Sequence, residues 1–369
     1  MKRCVQSASS VAALILVAGM PAHCESQEPV DSPDVAKAAA IDPARQTSKD
    51  FTAAEIEELK VKAGRGDADA QFNLGFALDN GMGVAVDQAE AVKWYRKAAD
   101  QGNAQAQLHL GRFYAHYGSG ASADSNDVEA AKWYRKAAEQ GNAEAQGALG
   151  YDYDNGSGVT KDEAEAVKWY RKAAEQGKIA AQYFLGTHYA TGAGVAKDAA
   201  EAVKWWHKAI DDEANAPLLP FFGQASYNLG FAYAHGEGVA KDDVEAVNWY
   251  RKATEDPDFT LAQNELGLAY AHGTGVAKNA EVAVEWFRKG ADLGDARAMY
   301  YLGLACANGV GVAKDVMEAY KWLDMSAKKG HRAAKEPLAR LGKQMTVDQI
   351  TEAKRLSRKG YSIGSGVRR

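Results

Sequence analysis

The 369-residue sequence predicts an all-α fold: a right-handed α/α superhelical solenoid of seven helix-turn-helix repeats with terminal capping helices. Two markers carry this reading. Leu-Gly pairs begin at Leu74, Leu110, Leu149, Leu185, Leu229, Leu266 and Leu302, at intervals of 36, 39, 36, 44, 37 and 36 residues. Tryptophans follow at 94, 133, 169, 205, 249, 286 and 322, at intervals of 39, 36, 36, 44, 37 and 36. The three-residue excess lies between Leu110 and Trp133, so it enters the tryptophan series one interval earlier. Markers that slip together through each insertion define a repeat, and a unit of this length cannot bury its own apolar face without a stacked neighbour.

Along the chain, residues 1–24 read as an export signal: Lys2 and Arg3 precede an apolar run from Val11 to Met20. That run is too short for a membrane span, which needs about 20 apolar residues. Cleavage is placed after Ala22 or after Cys24. Pro21 and His23 stand where a lipobox requires an aliphatic and a small residue, which disfavours a lipid anchor on Cys24. The expected location is periplasmic or secreted. Losing this segment removes two positive charges and takes the formal charge from -5 to -7. Residues 25–50 are polar and aperiodic and read as a flexible tether. Residues 51–66 hold a capping helix over Ala53–Ala63, and the repeats fill 67–331.

In the first repeat, helix A spans about Ala68–Asn80, with Ala70, Leu74 and Leu78 on one face. Gly81 is placed for a left-handed C-cap. Gly75 leaves room for a neighbouring helix. Asp87 and Glu90 form a capping box that opens helix B, where Ala91, Trp94, Tyr95 and Ala98 make the apolar stripe. The cap pair recurs as Asn126/Glu129, Asp162/Glu165, Asp198/Glu201, Asp242/Glu245 and Asp315/Glu318, and repeat six departs with Asn279/Val282. The seven periodic tryptophans read as structural staples. Residues 332–360 form C-terminal capping helices, with a box at Thr346 and Gln349, and 361–369 a disordered tail.

These motifs resemble the Sel-one-like repeat family, longer relatives of the tetratricopeptide repeat. Its pattern stands nearly complete as Ala181, Leu185-Gly186, Tyr189, Gly192, Gly194-Val195 and Trp205-Trp206-His207-Lys208-Ala209. Repeat two departs over 117–123, and an eight-residue excess containing Leu218-Leu219-Pro220-Phe221-Phe222 follows repeat four. The resemblance implies a non-catalytic adaptor in envelope processes, signalling or host contact. A few cysteine-rich relatives act on β-lactams, but they carry a cysteine pair in each repeat, which this chain lacks.

Composition and motifs exclude several chemistries. Hydrophobic residues make up 46% and charged residues 25%, which fits a folded chain. With 44 basic against 49 acidic residues, a phosphate backbone is not the expected partner. The Gly-x-Gly turns follow helices and lack the third glycine or the Gly-Lys-Ser/Thr of a nucleotide loop. Asp152 and Asp154 begin a calcium-loop pattern, but Gly156 falls where a ligand is needed and Ser157 where a glycine is. No zinc spacing accompanies the histidines and no nucleophile-base set is present, so no cofactor or metal is expected. Cys306 takes the place of a repeat tyrosine and reads as a small core residue.

What the repeat does not dictate is a helix A stripe at i, i+4, i+7 and i+11, the surface on which solenoids hold partners. It comprises His109, Arg112 and His116; Tyr151 and Asn155; Phe184 and Thr187; Asn228, Phe231 and His235; Glu265, Leu268 and His272; Tyr301, Leu304 and Asn308. Aromatics and Arg are enriched among binding hot spots. Some of these rings would equally fill the groove between adjacent A helices, and the spacing leaves both roles open. Leu218–Phe222 either pack into the enlarged junction or dock a partner. The expected partner is a protein. Peptidoglycan or exopolysaccharide stacked on Tyr151, Phe231 and Tyr301 is the alternative, and a hydrolase the least favoured.

Overall fold

The computed structural model describes residues 51–117, 123–211, 221–256 and 259–364. Among them are seventeen α-helices, one 3-10 turn and no strand, with adjacent helices paired in a repeating pattern. The described chain falls into two compact units that divide between Lys241 and Asp242. The first holds α1 (Ala53–Gly64), α2 (Ala68–Asn80), α3 (Gln88–Asp100), α4 (Ala104–Tyr117), α5 (Ala123–Glu139), α6 (Ala143–Asn155), α7 (Glu163–Glu175), α8 (Ile179–Thr191), α9 (Ala199–Ala209) and α10 (Phe222–His235). The second holds α11 (Asp243–Ala253), α12 (Thr260–His272), α13 (Ala280–Asp292), α14 (Ala296–Asn308), α15 (Val316–Lys328), the 3-10 turn Arg332–Ala334, α16 (Lys335–Gly342) and α17 (Val347–Gly364). The signal, the tether, repeat two's altered turn and Leu218–Pro220 lie outside the described residues. Helix α17 continues to Gly364, past the boundary expected at residue 360.

Helix ends follow the caps. Asp67, Asn142 and Asp295 open A helices by accepting the amide N–H of Ala70, Ala145 and Ala298 at 2.8, 2.9 and 2.7 Å. Asp87, Asp162, Asp198, Asp242 and Asp315 do the same for B helices. The glutamate of each pair turns instead to a residue three positions on, as in Glu90–Lys93 at 2.9 Å and Glu165–Lys168 at 2.7 Å. A reciprocal box forms at Thr52/Glu55. Asn279 caps α13 without a partner glutamate, accepting from Glu281 and Val282. One expected cap is not one: α5 begins at Ala123, which puts Asn126 inside the helix.

In repeats one to four, six and seven, the residue after the periodic tryptophan lies against the Leu-Gly glycine of its own hairpin. A Cβ on Gly150 would sit 2.8 Å from the Tyr170 ring, and one on Gly186 2.7 Å from the Trp206 indole. The neighbouring helix for which Gly75 leaves room is α3 of the same hairpin, whose Tyr95 ring fills the space. The tryptophan itself reaches back. Trp169 packs with Ala137 and Ala138 of the preceding B helix and with Leu149 of its own A helix. Trp133 and Trp205 do the same with Ala98/Ala99/Leu110 and Ala173/Ala174/Leu185. Lysine ammonium groups cover these rings, at 3.9 Å for Lys136 over Trp133 and 4.0 Å for Lys172 over Trp169. Trp94 and Trp286 are only half-buried, so the staple is incomplete at those two positions.

The second glycine of each Gly-x-Gly turn sets repeat-to-repeat contact. Gly194 has φ +67°, and a Cβ there would lie 2.2 Å from the Glu163 carbonyl oxygen in the first turn of α7. Gly194→Ala combines left-handed strain with a backbone collision that cannot rotate away. It is expected to cost about 2–4 kcal/mol. Gly147 has only Ala173 Cβ at 4.0 Å, so Gly147→Ala in the middle of α6 should instead stabilise by about 0.5–1 kcal/mol. Amide hydrogen exchange across α7 and α8 separates the two. Equal protection in both variants would show that the turn does not carry the stacking.

In the second unit, α17 is pinned on α15. Ser357 Oγ donates to Asp324 Oδ2 at 2.6 Å, and Lys328 Nζ reaches the same oxygen at 2.5 Å. Cys306 is buried in this unit's core, where burial and the neighbouring Glu318 push its thiol pKa up.

Candidate partner-binding surface

The stripe residues divide into those that bind the repeats together and those that reach the surface. His109 is half-buried among Phe72, Phe76 and Tyr95, with ring centroids 5.2–5.5 Å away. Phe184 stacks on Tyr170 at 5.2 Å and meets Tyr151 at 6.3 Å. Tyr301 stacks on Phe287 at 4.9 Å and lies under the Arg297 guanidinium. Leu268 packs against the core of the second unit. These rings lie between helices, one of the two roles the spacing left open.

Charged stripe residues are paired. Arg112 donates to Glu144 at 2.7 Å, and Lys178 reaches the other oxygen of Glu144 at 2.7 Å, tying the A helices of repeats two, three and four. Burial opposes the Glu144 charge, but Lys178 and Arg112 outweigh it and hold the carboxyl below its ordinary pKa. Glu265 pairs with Arg297 at 3.0 Å.

At the surface, Asn155, His235 and His272 are exposed, and Tyr151 and Phe231 are half-buried. Phe231 stacks on His235 at 4.0 Å, and His235 Nδ1 lies 2.9 Å from the Phe231 carbonyl oxygen. The His116 side chain lies outside the described set. Phe222 is buried and Phe221 stacks on Tyr183 at 4.9 Å, so the described end of the insertion packs onto repeat four. Phe221 does so with φ +66°, a left-handed backbone rare for a residue with a side chain.

Two features escaped the sequence reading. The first is a ladder of buried glutamines. Gln107 donates to the Ala99 carbonyl at 3.1 Å and accepts from Gln140 at 2.7 Å. Gln146 repeats this with Ala138 and Gln176. The second is a pair of ionisable residues at the third position after Leu, where repeats one, five, six and seven carry Ala77, Ala232, Ala269 and Ala305. Repeat three has Asp152 there and repeat four His188, both buried. His188 Nε2 lies 3.2 Å from Asp154 Oδ2 of the preceding repeat, and Nδ1 lies 2.9 Å from the Ala193 carbonyl oxygen. Asp152 Oδ2 has no protein hydrogen-bond partner. Lining up the repeats position by position would have exposed both substitutions, but not their burial.

Among the described residues, no group of three or more His, Cys, Asp or Glu is placed to hold a metal ion. Nor is any described helix long and apolar enough to cross a membrane.

Comparison with known proteins accounts for the pattern. The Sel1 repeat model matches residues 68–103, 104–142, 143–178, 179–212, 223–258, 260–295 and 296–331. The solved Sel1 repeat protein from Oxalobacter formigenes is 34% identical, covers 78% of this chain and 80% of its own, and superposes with a TM-score of 0.57. A protective antigen of uropathogenic Escherichia coli with an SLR fold, c5321, is 28% identical over 83% of this chain and 86% of its own, with a TM-score of 0.40. A curated relative, the rat DAP3-binding cell death enhancer 1, is 38% identical over 55 residues, which are 15% of this chain and 11% of that protein. With seven repeats matched from 68 to 331, the chain belongs to the Sel1 repeat family, whose members generally act as protein-interaction scaffolds.

Proposed function

We propose that this chain is an exported, non-catalytic scaffold of the bacterial cell envelope that takes a protein partner on its helix A stripe. One observation carries the reading. Packing positions repeat along the chain, whereas the stripe changes from repeat to repeat and presents aromatic edges fixed by intrachain contacts, such as Phe231 on His235 at 4.0 Å. A surface preorganised in this way loses little entropy on binding. Export rests on the reading of residues 1–24.

Crosslinking from envelope extract should recover one defined protein. Replacing Arg112, Tyr151 and Phe231 together by Ala should abolish recovery with helicity unchanged. Undiminished recovery by the folded triple variant would remove the stripe assignment. Pelleting with purified peptidoglycan, without a protein partner, would favour the polysaccharide alternative. That alternative draws on the pairing of Arg112 and Glu265 within the chain, which leaves rings and amides to meet a ligand.

A further inference from the structure

Charge is segregated along this chain. Residues 328–369 carry twelve Lys and Arg against three acids, a formal charge of +9, whereas residues 1–327 carry 32 against 46, a charge of -14. In the repeats, cations are committed to neighbours within the fold. Lys93, Lys132, Lys168, Lys204 and Lys321 each pair with the glutamate three positions before. Arg96, Arg135, Arg171 and Arg251 each donate to a tyrosine hydroxyl of the next repeat. The C-terminal cap differs. Ala334, Pro337 and Leu341 of the 3-10 turn and α16 are buried, as are Ala353 and Ser357 of α17. Arg332, Lys335, Lys343, Lys354 and Arg358 are left exposed, and none of the five takes part in an ion pair among the described residues. Glu336 and Glu352 pair with Arg340 and Arg355, so Asp348 is the one acid of the described cap outside an ion pair.

Local structure does not ask for these cations. Lys335 opens α16, the end at which the helix dipole favours negative charge. Lys354 and Arg358 are like charges at i, i+4, a spacing that destabilises a helix. Charge retained against helix stability points to an anion outside the chain, and its distribution selects the kind. Spread over a turn and two helices, the five match an extended anionic surface, whereas a single carboxylate or phosphate would engage one or two of them. Val347, 79% exposed, heads the row Val347, Thr351, Lys354 and Arg358 at i, i+4, i+7 and i+11, so an apolar side chain stands in line with two of the cations. Ile350 and Ala353 are turned to the core, so α17 has no apolar face left to insert. We propose that the C-terminal cap docks this protein on an anionic phospholipid bilayer, held by Arg332, Lys335, Lys343, Lys354 and Arg358. The proposal goes beyond the scaffold reading and does not depend on the helix A stripe.

Co-sedimentation of the full chain with vesicles tests it. Binding is expected on vesicles of phosphatidylglycerol and phosphatidylethanolamine at about 0.05 M salt, and should fall as added salt shortens the Debye length. Vesicles of phosphatidylcholine alone measure the contact that residues 1–24 make without charge. Each cation at such a surface contributes about fivefold in affinity, so R332Q/K335Q/K343Q/K354Q/R358Q should weaken binding about a hundredfold or more. The control K161Q/K197Q/K241Q/K278Q/K314Q removes the lysine before each of five B helices and reaches the same net charge. It should bind within about threefold of the parent. On the anionic vesicles, amide exchange should slow over α16 and α17, a readout that needs no variant. No excess on anionic over neutral vesicles, equal loss in both variants, or exchange that slows elsewhere but not over α16 and α17 would overturn the proposal. So would capture of poly-glutamate through the same five residues without vesicle binding, which would assign them to an acidic protein. Partner capture through Arg112, Tyr151 and Phe231 is measured without vesicles, so the two readings fail separately.

Discussion

Asp152→Ala is expected to stabilise the third repeat on the order of 5 kcal/mol near pH 9 and by almost nothing near pH 4. Asp152 is 8% exposed, and burial, reinforced by the charge of Asp127, pushes its pKa from 3.8 up to about 8. Its charge also reaches the buried Tyr134 and Tyr170, and helps to raise both phenol pKa values. In the unfolded chain the carboxyl ionises near its ordinary value. Between about pH 4 and 8 the folded state therefore holds a proton that the unfolded state has released, and stability falls as pH rises through that window. Alanine is what four other repeats carry at this place, so the replacement removes the penalty without a new strain.

His188 moves stability in the same direction. Burial alone would lower its pKa, but the hydrogen bonds to Asp154 and to the Ala193 carbonyl, with the charges of Asp154 and Glu163, outweigh burial and raise it. Its contribution is complete below its unfolded value of 6.5 and is lost as pH rises through the higher folded value. Repeats of this kind open segment by segment, so the measurement is hydrogen exchange of α6 and α8 amides across pH rather than a global melt. A gain from Asp152→Ala that is the same at pH 4 and pH 9 would contradict the buried neutral carboxyl.

Tyr170→Ala is expected to destabilise the same region by about 3–5 kcal/mol, whereas Tyr170→Phe should lie within about 1 kcal/mol of the parent. The ring is 1% exposed, rests on Gly150, and stacks on Phe184 at 5.2 Å. Its hydroxyl has no protein hydrogen-bond partner. Removing the ring leaves a cavity against a glycine that has no side chain to fill it, and frees Phe184 and His188 from their packing face. Removing only the hydroxyl takes away a buried polar atom. Chemical denaturation of both variants checks the contrast. A Phe variant as unstable as the Ala variant would place the energy in the hydroxyl instead.

The repeat was legible because packing recurs at fixed sequence intervals. The Leu185-Gly186 pair and Trp205 have counterparts at the same place in every unit, and the Asp198 cap in all but the second. Their spacing states helix lengths, turns and the buried face without reference to any distant residue. The failures are as local as the successes. Asn126 has the composition of a cap, but a helix that begins at Ala123 runs through it. Gly75 signals the close approach of a neighbouring helix, but sequence records the absent Cβ and not that the Tyr95 ring takes its place.

The candidate surface was legible only as a stripe. Residues on one helix face are fixed by the helical period, whereas their neighbours come from a helix some 30 residues away. Sequence placed Arg112 on the stripe, and tertiary structure gave it Glu144 and Lys178. At position 206 a tryptophan stands where four repeats carry tyrosine. Only the stacking of repeats four and five put that indole beside Ala190, Ala232 and Glu237. The sequence by itself determined that this is a seven-repeat helical protein, because short-range period and capping suffice for that. Which aromatics hold the repeats together and which acid is stranded were decided by the tertiary structure. Those depend on how side chains of different repeats fill one shared volume.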